Sequence, residues 1–142
     1  MIYTDATKKA MKLCFQAHRD QVDKSGIPYV FHPIHLAEQM EDEDTTVAAL
    51  LHDVVEDTQY SLEDLEALGF HERVIAAIRL LTHTDGVAYM DYVARIKENP
   101  IAKAVKLADL AHNSDLARMD VVDEKAKARA EKYAKAIEFL TE

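Results

Sequence analysis

The run AALLHDVVEDT, Ala48–Thr58, places His52, Asp53, Glu56 and Asp57 in an otherwise apolar segment. Imidazole nitrogens and carboxylate oxygens bind divalent metals and carry protons, and a charged group is costly in an apolar interior without a partner. If the run is helical, residues four apart share a face, so His52 stacks with Glu56 and Asp53 with Asp57. Val47, Ala48, Ala49, Leu50, Leu51, Val54 and Val55 leave those two columns little solvent. An unpaired carboxylate there needs a cation, a dense set of hydrogen bonds or a shifted pKa.

A second acid repeats the pattern. In AVKLADLAHNSDL, Asp109 and Asn113 lie four apart along an apolar stripe of Ile101, Val105, Ala108 and Leu116, with His112 beside it. Both acids are expected to meet at one site. His32, from the segment KSGIPYVFHP, completes a set of His32, His52, Asp53 and Asp109. Nitrogen and carboxylate ligands without cysteine suit Mn²⁺, Fe²⁺ or Zn²⁺ and not a structural zinc site. A divalent ion held there would acidify a water into a nucleophile and polarise a phosphoryl oxygen. Glu56 and Asp57, within one turn, are placed for proton transfer or for orienting that water. His35 is expected to pack or meet solvent, and His112 to neighbour the site. His18, His71 and His83 have surface or packing roles.

The elements that must position these groups read as a succession of helices. Three- and four-residue spacing of Ala6, Ala10, Leu13, Cys14 and Ala17 predicts a helix over about 5–22. Gly26 and Pro28 break it, and a second helix begins at Pro33, leaving His32 at or beside the N-cap with an extended backbone. The central helix runs over 46–57, capped by Asp44 or Thr45. Ser61 with Asp64 opens a short helix in capping-box style, which Gly69 ends. Further helices are expected over 71–82, 87–97, 101–119 and 123–140, with breaks at HTDG and Pro100. The last is amphipathic, with Ala126, Ala130, Tyr133, Ala134 and Ile137 inward and its charges structural only. The fold class is all-α: a helical bundle forming a single domain over residues 1–142.

Composition agrees. A length of 142 residues fits one domain, and 49% hydrophobic with 30% charged residues is ordinary for a globular chain. Three glycines and three prolines disfavour a hairpin-rich fold. The net charge of −9 argues against nucleic-acid binding, which needs a basic surface, but leaves room for an anionic small molecule held by local lysines and a metal. Cys14, the only cysteine, is expected to be buried. Neither a signal peptide nor a membrane span is visible, so the expected setting is cytoplasmic, as a monomer or small homo-oligomer.

Three blocks, SGIPYVFHP at Ser25–Pro33, HDVVEDT at His52–Thr58 and VKLADLAHN at Val105–Asn113, resemble the signature blocks of the HD-domain metal-dependent phosphohydrolases. More narrowly, they resemble the hydrolase domain of the RelA/SpoT alarmone enzymes and its stand-alone small alarmone hydrolases. The resemblance runs over nearly the whole chain in the same order. It implies a mononuclear Mn²⁺ site of His32, His52, Asp53 and Asp109 that removes the 3′-pyrophosphate of ppGpp or pppGpp. Glu56 and Asp57 would then flank the attacking water, with Lys24, Ser25 and Asn113 near the nucleotide. The family usually carries arginine where this chain has Asp23 and Asp115. Two anions beside a pocket for a polyanion keep open another nucleotide or phosphorylated metabolite as substrate, or a non-catalytic nucleotide-binding module.

Overall fold

The hub of the chain is α3 (Glu43–Leu51), in which every residue from Thr45 to Leu51 is buried. A computed structural model describes residues 1–142, all helical apart from connections and one antiparallel bridge between Val22 and Pro28. Around α3 pack α1 (Asp5–Ala17), α2 (Phe31–Glu38), α6 (Glu72–Leu81) and α8 (Pro100–Asn113). Two short helices, α4 (Val54–Asp57) and α5 (Leu62–Ala67), lead from the hub to α6. Helices α7 (Tyr89–Lys97) and α9 (Glu124–Thr141) close over α8. Leu36, Leu50, Leu51, Leu65, Ile78, Ile96, Leu110 and Leu140 are fully buried. Each contributes roughly 1.5–3 kcal/mol by leaving water. Cys14 is buried among them as expected, and burial pushes its thiol up to about 12.

The main departure from the sequence-based reading lies at the hub. A single helix over 46–57 is not formed: α3 ends at Leu51 and α4 restarts at Val54, with His52 and Asp53 between them. The ring of His52 is the cause. Its Nδ1 donates to the Ala49 carbonyl at 2.6 Å, the oxygen that a continuous helix reserves for the Asp53 N–H. At the break, Asp53 faces His32 of α2 and His52 faces Asp109 of α8.

Other boundaries shift for local reasons. Helix α1 stops at Ala17 and not Val22, because the following chain folds into a clip: the Asp23 N–H donates to Ile27 O at 2.8 Å and the Tyr29 N–H to Gln21 O at 2.9 Å. Gly26 at φ 79° sits in the left-handed region that this turn requires. His32 is not an extended cap but lies in the first turn of α2. The Phe31 and His32 N–H groups reach back to Pro28 O and Tyr29 O, and Pro33 falls where a helix has no acceptor to offer anyway. Helix α8 ends at Asn113 and not Met119, since Asp115 accepts from the Ala117 N–H at 3.0 Å and starts a separate 3₁₀ turn, Leu116–Arg118. The Ser61–Asp64 capping box forms, and His71 proves to cap α6, its Nδ1 accepting from the Arg73 N–H at 3.1 Å.

The cap of α3 is Asp42, not Asp44 or Thr45: its Oδ1 accepts from the Thr45 N–H at 2.8 Å and the Thr45 hydroxyl at 2.7 Å. Those bonds hold the Asp42 carboxyl below the usual carboxylate range. Asp42→Ala is therefore expected to destabilise the fold by about 1 kcal/mol at neutral pH. A depressed native pKa stabilises above the unfolded value and is lost as pH falls through the native one. Urea unfolding should accordingly find the gap between variant and wild type narrowing in acid.

Candidate metal centre

Three elements deliver the ligand-type side chains. The clip before α2 positions His32, the break after α3 positions His52 and Asp53, and the middle of α8 positions Asp109. His32, His52 and Asp109 are all buried, and each offers a ligand atom within 4.8 Å of the other two. Asp109 Oδ1 lies 2.9 Å from His32 Nε2 and 3.6 Å from His52 Nε2. Asp53 Oδ2 stands 3.0 Å from His52 Nε2 and 4.0 Å from His32 Nε2, and accepts from the Tyr29 hydroxyl. Residues separated by 77 positions in the chain thus share one buried point.

The electrostatics of that point call for a positive charge. Because His52 Nδ1 must carry a proton to bond a carbonyl, Nε2 is the nitrogen left to take up a second proton or a cation. It is buried, has no hydrogen-bond partner, and faces two carboxylates. Burial disfavours a charged imidazole, yet Asp53 and Asp109 outweigh it and raise His52 well above its ordinary pKa. Burial likewise works against the Asp109 carboxylate, but Lys106, His32 and His52 hold its pKa well below the usual range. Asp53 follows the same balance, with His52 overcoming burial and lowering it. A proton can fill this need in part; a divalent cation on two imidazoles and two carboxylates fills it fully.

Polar groups outside the set hold it in register. Lys106 Nζ donates to Asp109 Oδ2 at 3.0 Å, and Asn113 Nδ2 donates to Asp109 Oδ1 at 2.9 Å. Lys106 also stands over the Tyr92 ring at 5.1 Å, and Asp109 raises its pKa against the effect of burial. His18, expected in a surface or packing role, is buried: it packs on Tyr29 and contacts Gln21, whose amide donates to the Asp57 carbonyl at 2.9 Å. Glu56 and Asp57 sit on α4 partly open to solvent, and Glu56 Oε1 accepts from the His83 N–H at 3.2 Å. Lost solvation raises the pKa of both, with Asp53 adding to the effect. His83 is locked by its Nε2 on the Val87 carbonyl at 2.7 Å and by stacking on Tyr92. Burial, with the charges of Arg118, His32 and His35, pulls His112 down to about 4.

A cavity of about 350 Å³ is lined by Lys24, Ser25, Tyr29 and Asn113. Sequence reasoning missed three of its walls: Arg118, Arg129 and Tyr133. The last two come from α9, read above as structural only. The signal was their four-residue spacing, which puts a cation and an aromatic ring on one helix face. Tyr29 was missed too, although it lies inside the quoted block three residues before His32. The Ser25 hydroxyl is occupied, donating to Arg118 O and accepting from the Asp120 N–H, both at 3.1 Å. Asp23 is equally engaged. Its Oδ1 accepts from the Ser25 and Ile27 N–H groups at 2.8 and 3.0 Å, while Oδ2 faces Arg118 at 3.8 Å.

This architecture is similar to that of known proteins. Residues 10–137 match the HD domain family. Among curated relatives, a GTP pyrophosphokinase of Streptomyces coelicolor is 34% identical over 143 residues, covering 89% of this chain and 17% of the relative. The bifunctional (p)ppGpp synthase/hydrolase SpoT of Escherichia coli is 34% identical over 75% of this chain and 17% of its own length. A guanosine-3′,5′-bis(diphosphate) 3′-pyrophosphohydrolase of Aquifex aeolicus is 30% identical over 78% of this chain and 18% of its own. The chain therefore spans less than a fifth of the length of these relatives. A solved structure described as a metazoan ortholog of SpoT that hydrolyzes ppGpp superposes with a TM-score of 0.77 at 28% identity, covering 99% of this chain and 87% of that one. With the family matched from α1 to α9 and the histidines and aspartates converging between those helices, the chain belongs to the HD domain family.

Proposed function

We propose that this chain is a metal-dependent phosphohydrolase domain that removes the 3′-pyrophosphate of the guanosine alarmones ppGpp and pppGpp in the cytoplasm. The observation that carries the reading is the buried Nε2 of His52, without a hydrogen-bond partner and facing two carboxylates. A proton apart, only a cation relieves that arrangement. His32, His52, Asp53 and Asp109 would hold one divalent ion, Mn²⁺ foremost. Bound there, the ion supplies acidification of a water and polarisation of a phosphoryl oxygen. Relatives named for (p)ppGpp hydrolysis support the substrate.

The chain's own residues divide the remaining work. Lys24, Arg118 and Arg129 outnumber Asp23 and Asp115 in the cavity lining and leave it net positive for a polyanionic nucleotide. Tyr133 offers it an aromatic face, and Asn113 joins the cavity to Asp109. Glu56, with Asp57 beside it, takes the proton of the attacking water as the water–phosphorus bond forms. That proton is returned to the ribose 3′-oxygen as its bond to phosphorus breaks, leaving GDP or GTP and pyrophosphate.

Asp23 and Asp115 favour a second reading, another nucleotide or phosphorylated metabolite. Their carboxylates are engaged with the clip, with Arg118 and with the 3₁₀ turn, which blunts their repulsion of an anion. Metal-stripped protein is expected to leave ppGpp intact, and Mn²⁺ to restore release of pyrophosphate, read by anion-exchange chromatography. Turnover of a nucleoside monophosphate with ppGpp untouched would move the assignment to the second reading. Metal uptake without turnover of any phosphoester would leave a non-catalytic binding module.

A further inference from the structure

Both ring nitrogens of His32 are committed, and the second commitment is unusual. Nε2 faces Asp109, while Nδ1 lies 2.7 Å from Nδ1 of His112. Two imidazole nitrogens at that separation repel unless one carries a proton and the other does not. The two rings are nearly parallel, at 6°, and His112 is fixed from other sides as well. The His35 ring stacks on it at 4.1 Å, and its backbone carbonyl accepts from Arg118 Nη1 at 2.8 Å. Metal-binding histidines generally direct their second nitrogen at a carboxylate, a carbonyl or a water. Here that place is taken by a second imidazole.

We propose that His112 is a positioning residue for the metal centre: its bare Nδ1 accepts the His32 Nδ1 proton and so keeps His32 Nε2 deprotonated and aimed at the cation. This rests on the reading of the metal centre given above. The proton count closes in only one way. With Nε2 of His32 free to bind, the His32 proton sits on Nδ1, and the His112 proton is confined to Nε2. A proton on His112 Nδ1 would force His32 into the opposite tautomer, with an N–H pointing at Asp109 and the cation barred.

The test compares wild type with His112→Phe, which keeps a ring but has no acceptor, and with His112→Asn, whose Oδ1 reproduces the position of Nδ1. Calorimetric titration of the metal-stripped proteins with Mn²⁺ should show binding weakened about 10–100-fold in His112→Phe and nearly restored in His112→Asn. His112 is only partly buried, so far-UV circular dichroism and metal-free melting should barely distinguish the three. In Zn²⁺-loaded, ¹⁵N-histidine protein, His32 Nδ1 should show a protonated nitrogen and His112 Nδ1 an unprotonated one. Equal Mn²⁺ affinity in His112→Phe and wild type would overturn the role, as would His112→Asn binding no better than His112→Phe. A proton found on His112 Nδ1 would overturn it as well. Wild type taking up no divalent ion would instead defeat the metal centre itself, and the role of His112 with it.

Discussion

Asp109→Asn is expected to abolish metal uptake and with it all hydrolysis. Losing an outer partner of a ligand typically lowers metal affinity 10–100-fold, so losing a buried ligand oxygen should exceed about 10²-fold. Asp109 is central because it faces both histidines, His32 and His52, with one oxygen and Lys106 with the other. The substitution also removes the countercharge of a largely buried ammonium. Stranding one partner of a buried pair destabilises by roughly 3–5 kcal/mol, and the Asn oxygen recovers part of that by accepting from Lys106. Urea unfolding of the metal-free proteins should therefore find Asp109→Asn less stable than wild type. Adding Lys106→Met should return some of the loss, because the orphaned charge goes with it. Calorimetric Mn²⁺ binding at wild-type strength by Asp109→Asn would rule this centre out.

The parts of this site that were legible in the sequence were those whose chemistry contradicts their surroundings. Asp53 among Val54, Val55 and Leu51, and Asp109 on a stripe with Val105, could be read because apolar neighbours make a carboxylate conspicuous. The all-α architecture was legible for a similar reason, since long amphipathic periods, caps such as Ser61 and few glycines all agree. What the sequence hid was set by single side chains competing with the backbone. The break after Leu51 depends on the His52 ring taking one carbonyl, and the end of α8 on Asp115 capping a new turn. Periodicity sums over a window and cannot register one such bond. Arg118, Arg129 and Tyr133 were hidden differently. Surface cations and a half-apolar ring suit a solvated helix as well as a cavity wall, and only packing of α8 against α9 decides between them. The charge reversal at Asp23 looked hostile to an anion in the sequence. In the fold its carboxylate is tied to two backbone N–H groups and faces Arg118.

Glu56→Gln separates holding the metal from moving the proton. The amide keeps the length of the side chain and an oxygen for the His83 N–H, so α4 should stay where it is. Only the capacity to accept a proton is removed. Glu56 lies beyond the helix break, off the four proposed ligands, and loss of solvent together with Asp53 and Asp57 raises its pKa. A carboxylate with raised proton affinity is a better base near neutral pH than one in water, since its pKa approaches that of the medium. Asp57 is raised in the same direction but anchors Gln21 through its backbone, so its side chain is the less constrained of the two. The expected result for Glu56→Gln is a fall in kcat of about 10²–10⁴-fold with Mn²⁺ affinity and KM close to wild type. Asp57→Asn should fall by less. Steady-state kinetics on ppGpp, with metal titrations of the same preparations, would read both. A Glu56→Gln enzyme that kept its kcat would transfer the proton to Asp57. Loss of metal binding in the same variant would mean that the carboxylate belongs to the metal and not to the water.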